Sequence, residues 1–265
     1  MKRIVPGILL ALCWFLLLFK GSSFLFAVVM IPVAFWGADE YVRMAGSGRF
    51  SLVQRIALDI LVILPLILMV LIPGTASLVA GVVLSFTLLA LFFFSVYATF
   101  ADSYELFCRL VFGVVYLGVL GGHLIALRFL PEGGSWLIVL TAITAGSDSG
   151  AYYVGRAFGK NKLCPGISPN KTREGAIGGL VTGMVTAVIF ARIFLLSPNW
   201  GFLVFAAVIL VGAGIAGDLT ESIVKRGTGV KDSGHCLGDH GGILDRIDSL
   251  IFAAPVLYYF LILAR

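Results

Sequence analysis

The sequence predicts an all-α, polytopic integral membrane protein of about nine transmembrane helices. Of its 265 residues, 60% are hydrophobic and 12% are charged, and the mean hydropathy is +1.05. A soluble core of this size cannot bury so much apolar surface. Apolar runs long enough to cross about 30 Å of hydrocarbon recur along the whole chain. The composition therefore indicates a bundle of membrane helices with no soluble domain.

Each predicted span is separated from the next by charge, glycine or proline. The first span follows Lys2 and Arg3 and resembles the apolar part of a signal peptide, but no small-residue cleavage site clearly follows it, so we interpret it as a retained helix. Because the first two spans are short and close together, eight and ten spans are the alternatives to nine. The two longest connections toward the C-terminus are 158–174 and 227–242. The predicted spans are 4–19, 22–38, 56–72, 76–98, 107–130, 134–157, 175–198, 200–226 and 243–264.

The distribution of basic residues predicts the orientation. If alternate loops face opposite sides, only Lys20, Arg128, Arg192 and Arg265, four of the 19 basic residues, fall on the second side. We therefore expect the N-terminus and both long loops to face the cytoplasm from the cell (inner) membrane, and the C-terminus to lie outside. The net charge of +5 suits contact with anionic lipid headgroups, and we expect no nucleic-acid partner.

Polarity divides the chain into two regions. Residues 1–140 carry few charges within their spans, and we interpret them as a scaffold with lipid access and an oligomer interface. There, Asp59 is expected to pair with Arg55 four residues earlier, with a functional role as the alternative. The small residues of the 107–130 span make a homodimer plausible. Residues 141–265 are interpreted as the catalytic region, because charged residues concentrate there.

One face of the eighth span combines both signs of charge. A charge in the membrane region costs about 2.5–3.5 kcal/mol on insertion scales, so Asp218 needs a partner or a polar cavity. Asp218, Ser222 and Lys225 stand at i, i+4 and i+7, with Arg226 beside them. Such a face suits a metal-bound polyphosphate.

Asp245 and Asp248, at i and i+3, are expected to project from one side of the last helix, with Arg246 turned away. Two aligned carboxylates favour Mg²⁺ or Mn²⁺, and zinc is disfavoured because Cys and His do not cluster. The glycine-rich loop, residues 227–242, would allow close backbone approach to an anion. A buried ion-pair network is the alternative interpretation for these charges, but it does not require all of these features together.

Two polar blocks resemble one known family. The run Ser222-x-x-Lys-Arg, Lys231-Asp-Ser-Gly and Gly238-Asp-His-Gly-Gly-x-x-Asp-Arg-x-Asp248 resembles the signature of the phosphatidate cytidylyltransferase (CDP-diacylglycerol synthase) family. The block from Asp148 to Gly175 is similar to the family's other polar stretch. Arg173 stands where the family usually has an aromatic residue, and Gly238 where it often has proline.

The resemblance implies transfer of a cytidylyl group from CTP to phosphatidic acid in phospholipid biosynthesis, releasing pyrophosphate and leaving CDP-diacylglycerol. On this interpretation Asp218, Asp245 and Asp248 hold Mg²⁺, with room for a second cation, and Lys225 acts with them in catalysis. Asp148 could equally join the metal site or pair with a cation, and His240 could touch ligand or cap the last helix. The residues expected to contact substrate are Ser222, Arg226, Lys171, Lys231, Asp232, Asp148 and His240.

Two other functions compete with this one. An ion-coupled transporter would also place Asp and Lys in the membrane, but it predicts matched discontinuous helices in two halves, which the sequence does not show. The second competing function is that of another metal-dependent lipid nucleotidyltransferase or phosphotransferase. Of these, a CDP-alcohol phosphotransferase should show an Asp-x-x-Asp-Gly-x-x-Ala-Arg pattern, which this sequence lacks.

Overall fold

The computed structural model describes residues 4–96, 100–234, 236, 238 and 241–264, and nearly all of this chain is helical. The all-α prediction is confirmed. A π-helical segment, Val114–Leu120, joins α5 to α6 in one continuous rod. The helices are α1 Ile4–Lys20, α2 Ser23–Gly46, α3 Leu52–Leu71, α4 Thr75–Val96, α5 Phe100–Gly113, α6 Gly121–Phe129, α7 Gly133–Phe158, α8 Arg173–Phe194, α9 Trp200–Gly227 and α10 Leu244–Leu263.

These helices form nine rods, which correspond to the nine predicted spans. Within the described residues, seven rods are long and apolar enough to cross a membrane: α2, α3, α4, the α5–α6 rod, α8, α9 and α10. The apolar part of α1, Gly7–Lys20, is shorter. The remaining rod, α7, has 26 residues but carries Asp148 and Arg156. The chain is therefore a polytopic membrane protein, as predicted.

Side-chain caps explain where four of the helices begin. Ser22, Ser51, Thr172 and Asn199 each accept a hydrogen bond from the backbone N–H three residues on, which lacks a partner within the helix. At the other end of α2, Ser47 adopts a left-handed backbone with φ 48°. The predicted second span ended at 38, whereas α2 continues to Gly46 and keeps the following charges on a helix.

Contacts between rods show which helix ends lie together. At one end, called the site end from here on, Arg55 of α3 lies 2.8 Å from Asp39 of α2, and Arg109 of α5 donates to the Ala45 carbonyl at 3.2 Å. At the opposite end, the Ser23 hydroxyl donates to the Arg128 carbonyl. The end of α2 therefore lies beside the start of α3 and beside α5, and the start of α2 lies beside the end of α6.

The expected Asp59–Arg55 ion pair is wrong. Arg55 Nε faces Asp39 instead, and Asp39 also receives Arg43 at 2.7 Å. Asp59 is buried, and neither of its carboxylate oxygens has a hydrogen-bond partner among the described residues. The helical spacing was right, but a carboxylate on the neighbouring helix binds the guanidinium.

A short hairpin replaces the predicted 158–174 loop. Strands β1, Lys162–Cys164, and β2, Ser168–Thr172, pair antiparallel. Glu174, in the first turn of α8, accepts hydrogen bonds from the backbone N–H groups of Lys160 and Asn161, and from the Asn161 amide at 2.7 Å. These bonds fasten the hairpin to the start of α8.

Small residues allow close helix packing inside the chain. The Thr182 hydroxyl of α8 donates to the Gly146 carbonyl of α7 at 2.9 Å. In the α5–α6 rod, a Cβ on Gly118 would lie 2.5 Å from the Val62 carbonyl oxygen of α3, and one on Gly113 would meet the Tyr41 ring of α2. These glycines therefore contact helices of the same chain. They therefore do not support a contact between two chains, and the homodimer stays a prediction.

Candidate active site

The last two helices pack closely at Gly217. A Cβ at this position would lie 2.5 Å from the Asp248 carbonyl oxygen and 3.0 Å from the Phe252 Cβ. Only glycine lets the α9 backbone come so near α10. The approach sets Asp218 and Glu221 of α9 beside Asp248 of α10.

Three carboxylates converge there. Asp218, Glu221 and Asp248, called the acidic group from here on, each offer one oxygen, and these oxygens all lie within 4.8 Å of one another. Glu221 is 2% and Asp248 is 8% exposed. Glu221 Oε1 is buried and has no hydrogen-bond partner among the described residues. Hard oxygen donors that converge in this way are the ligand set of Mg²⁺ or Mn²⁺, so the acidic group fits such an ion.

Lys225 connects the acidic group to Asp245. Its ammonium lies 3.0 Å from Glu221 Oε2 and 2.6 Å from Asp245 Oδ1. The other oxygen of Asp245 accepts hydrogen bonds from the Ser233 hydroxyl and the Gly242 N–H, both at 3.0 Å. Both oxygens of Asp245 are thus occupied by protein donors. Asp245 borders the acidic group, and its predicted role as a metal ligand stays a prediction.

A cavity of about 520 Å³ opens beside the acidic group, within the size range of small-molecule sites. Asp148 of α7, Lys171 of β2 and Asp218 of α9 all line it. Lys171 Nζ lies 2.5 Å from Asp218 Oδ2, which joins the hairpin to α9 at the cavity edge. The structure therefore brings three of the predicted site residues to one cavity wall. The cavity is also lined by Tyr152, Arg156 and Asn170.

A model of the cytidylyltransferase family matches residues 1–264. The chain belongs to the cytidylyltransferase family. A Bacillus subtilis protein named phosphatidate cytidylyltransferase is 33% identical over 269 residues, which cover 99% of this chain and 97% of the relative. Proteins of the same name are 40% identical in Staphylococcus epidermidis, over 68% of this chain and 66% of the relative, and 45% identical in Haemophilus influenzae, over 49% and 47%. The family predicted from the two polar blocks is confirmed.

In this cytidylyltransferase, no contact among the described residues joins several of the predicted site residues to the acidic group. Ser222 is half-buried, whereas Arg226, Lys231 and Asp232 are exposed. Among the described parts of the chain, none of these three charged residues forms an ion pair. His240 falls outside the described residues. Their roles in substrate binding stay predictions.

Glu221 is the site residue that the sequence reasoning missed. The i, i+4, i+7 spacing selected Ser222, but the inward face of α9 carries Asp218, Glu221 and Lys225 at i, i+3 and i+7. Both spacings lie on one face of a helix, so the pattern alone could not choose between Ser222 and Glu221. Tyr152 and Arg156 were also missed as individual residues. They lie four residues apart on α7, and Arg156 donates to the Tyr152 hydroxyl at 3.2 Å.

Proposed function

We propose that this chain transfers CMP from CTP to phosphatidate, giving CDP-diacylglycerol and pyrophosphate. The observation that carries the proposal is the likeness to the Bacillus subtilis phosphatidate cytidylyltransferase over 99% of the chain. The site supports it, because an acidic group lies beside a cavity with cationic residues in its wall. A substrate with a triphosphate and a substrate held in the bilayer can meet at such a place.

The acidic group would hold a divalent cation, Mg²⁺ or Mn²⁺. The three carboxylates of Asp218, Glu221 and Asp248 fit it, and Glu221 Oε1 has no protein donor among the described residues. When bound, the cation would neutralise negative charge on the triphosphate. The oxygens of Asp245 already face Lys225 and Ser233, so we propose one principal metal site, at the acidic group.

Two lysines would contact phosphate. Lys171 lies at the cavity edge beside Asp218, where it can bind a phosphate oxygen next to the acidic group. An ammonium group has three donors. Lys225 uses two of them on Glu221 and Asp245, which leaves one for a phosphate oxygen and holds both carboxylates in place.

The reaction requires no proton to be removed from the nucleophile. The second ionisation of a phosphate monoester has a pKa of about 6, so the phosphatidate headgroup is largely a dianion near neutral pH. One of its oxygens would form a bond to the α-phosphorus of CTP while the bond to pyrophosphate breaks. The side chains then have to orient the two anions and offset their repulsion, which is the role that preorganised cations and dipoles perform.

We further propose that the site end faces the cytoplasm of the inner membrane and that the C-terminus lies outside. Basic residues at the site end, among them Arg43, Arg156 and Lys171, support this orientation. Two single-cysteine variants test it, one retaining only Cys236 and one carrying only Leu196→Cys. In intact spheroplasts, a membrane-impermeant maleimide should label the Leu196→Cys variant but not the variant that retains Cys236. After lysis, Cys236 should be labelled as well. Labelling of Cys236 in intact spheroplasts would contradict the orientation.

The activity is tested on full-length protein purified in detergent and returned to liposomes. With labelled CTP, phosphatidate and Mg²⁺, the protein should form CDP-diacylglycerol. Glu221→Gln should lower turnover about 100-fold because it removes charge from the acidic group. The matched control, Glu132→Gln, lies at the opposite end of the bundle and should keep full turnover. If the wild type forms no product across lipids and metals, the proposed function is wrong.

A further inference from the structure

One buried carboxylate near the site comes from the half of the chain that carries little polar chemistry. Glu40, two turns before the end of α2, is 5% exposed. Burying a carboxylate is costly unless hydrogen-bond donors surround it. Its donors come from residues about 200 positions later in the sequence.

Glu40 caps the helix that carries Asp245 and Asp248. Its Oε1 accepts the Ile243 N–H at 3.0 Å, and its Oε2 accepts the Leu244 N–H at 3.1 Å. These amides stand at the start of α10, where backbone donors have no partner within the helix. No side-chain cap is formed by Ile243 itself. A negative charge here also complements the positive end of the helix dipole.

The glycine-rich loop leaves space for this carboxylate. A Cβ on Gly234 would lie 2.6 Å from Glu40 Oε1, and one on Gly242 would lie 2.5 Å from Oε2. Any side chain at either position would displace the carboxylate. The loop therefore approaches Glu40 closely at both Gly234 and Gly242.

The Ser233 hydroxyl lies between Glu40 and Asp245. It is 3.2 Å from Glu40 Oε2 and 3.0 Å from Asp245 Oδ2. A hydroxyl has one proton to donate, so Ser233 donates to one of these two carboxylates at a time. Asp245 keeps its ion pair with Lys225 in either case.

We propose that Glu40 is a positioning residue of the active site, holding the start of α10 so that Asp245 and Asp248 face α9. The inference rests on the proposed function, which it deepens. Glu40 contacts no member of the acidic group directly, so it acts through the start of α10. The N-terminal half of the chain would then help to fix the geometry of the active site.

Hydrogen–deuterium exchange on the full-length protein in detergent tests the cap directly. In Glu40→Ala, the amides of Ile243 and Leu244 should exchange about tenfold faster or more, because each loses a bond to a charged acceptor. Glu105→Gln is the control. Glu105 is an exposed glutamate paired with Arg109 at the site end, and its loss should leave these amides unchanged. If the two amides exchange in Glu40→Ala at the wild-type rate, the proposal fails.

Enzyme kinetics separate positioning from a general loss of folded protein. Fewer folded molecules lower the maximal rate but do not change the Mg²⁺ concentration that gives half-maximal activity. Glu40→Ala should lower the rate about tenfold or more and also raise that Mg²⁺ concentration. A rate loss with unchanged Mg²⁺ dependence would overturn the positioning role.

A conservative variant keeps the test informative if Glu40→Ala does not fold. Glu40→Gln retains one acceptor oxygen but turns an N–H₂ group toward a backbone donor, so it should give a smaller change in both measurements. Wild-type exchange and kinetics in Glu40→Gln would overturn the proposal. An inactive wild type would refute the proposed function, whereas the exchange rates judge the cap by themselves.

Discussion

Two clusters of charge lie at the site end, and their chemistry differs. On α2 and α3, Asp39 is held between Arg43 and Arg55, so each of these three charges has an opposite neighbour. On α9 and α10, three carboxylates converge beside a cavity that Asp218 lines. Charge in a membrane helix therefore does not by itself identify a functional site. In this chain, the candidate site is identified by carboxylates that converge beside a cavity.

Removing one carboxylate from each cluster gives the strongest test of the difference between them. Asp248→Asn should lower turnover about 10²- to 10³-fold, because it takes a charge from the acidic group. Asp39→Asn should change turnover less than about twofold, since its partners are arginines that do not line the cavity. Both are measured by CDP-diacylglycerol formation in liposomes. Equal losses in the two variants would mean that the acidic group has no special role.

The next test separates the helices rather than changing a charge. Gly217→Ala should lower turnover about tenfold to 100-fold, because its Cβ would lie 2.5 Å from the Asp248 carbonyl oxygen and must displace α10. Gly212→Ala is the matched control on the same helix, where a Cβ meets no atom within 4 Å. Wild-type turnover in Gly217→Ala would show that the convergence of the carboxylates is not needed.

The hairpin lysine should have a smaller effect, confined to substrate binding. Lys171→Ala should raise the KM for CTP about tenfold or more by removing a charged donor to phosphate. Lys162→Ala removes an exposed charge from the other strand of the hairpin and should leave KM unchanged. A shift of equal size in both variants would point to the general charge of the hairpin instead of a contact by Lys171.

The smallest effect is expected for stability in the arginine-paired cluster. Asp39→Asn should lower the free energy of unfolding by about 1 kcal/mol or less, because partly exposed ion pairs contribute little. Thermal unfolding in detergent at low and high salt measures it. A much larger loss would mean that this cluster, too, holds its helices in a required arrangement.

The helices could be predicted from the sequence because membrane helices consist of long apolar runs. The errors fall where charge interrupts the pattern without ending the helix. The predicted second span stopped before Asp39, although Asp39 pairs with Arg43 one turn later and α2 continues to Gly46. The hairpin was missed because its strands are three and five residues long and carry no alternating apolar pattern.

The site could be predicted in part. Asp218 was chosen from helical spacing, and Asp248 from spacing and the family signature, and the structure brings them together. Glu221 required a choice between i+3 and i+4 that depends on which side of α9 faces α10. Glu40 could not be found by any local pattern, because its acceptor role depends on amides about 200 residues away.

The cap on α10 means that the two regions of the chain differ in chemistry but do not separate as parts. A shortened protein beginning at Gly133 would retain the acidic group, the hairpin and the cavity. It would lose the acceptor for two amides of its last helix, and Phe252 would lose the Tyr116 ring that lies 5.9 Å away. Anyone grafting this active site into another membrane scaffold would therefore have to carry α2 and the α5–α6 rod along with it.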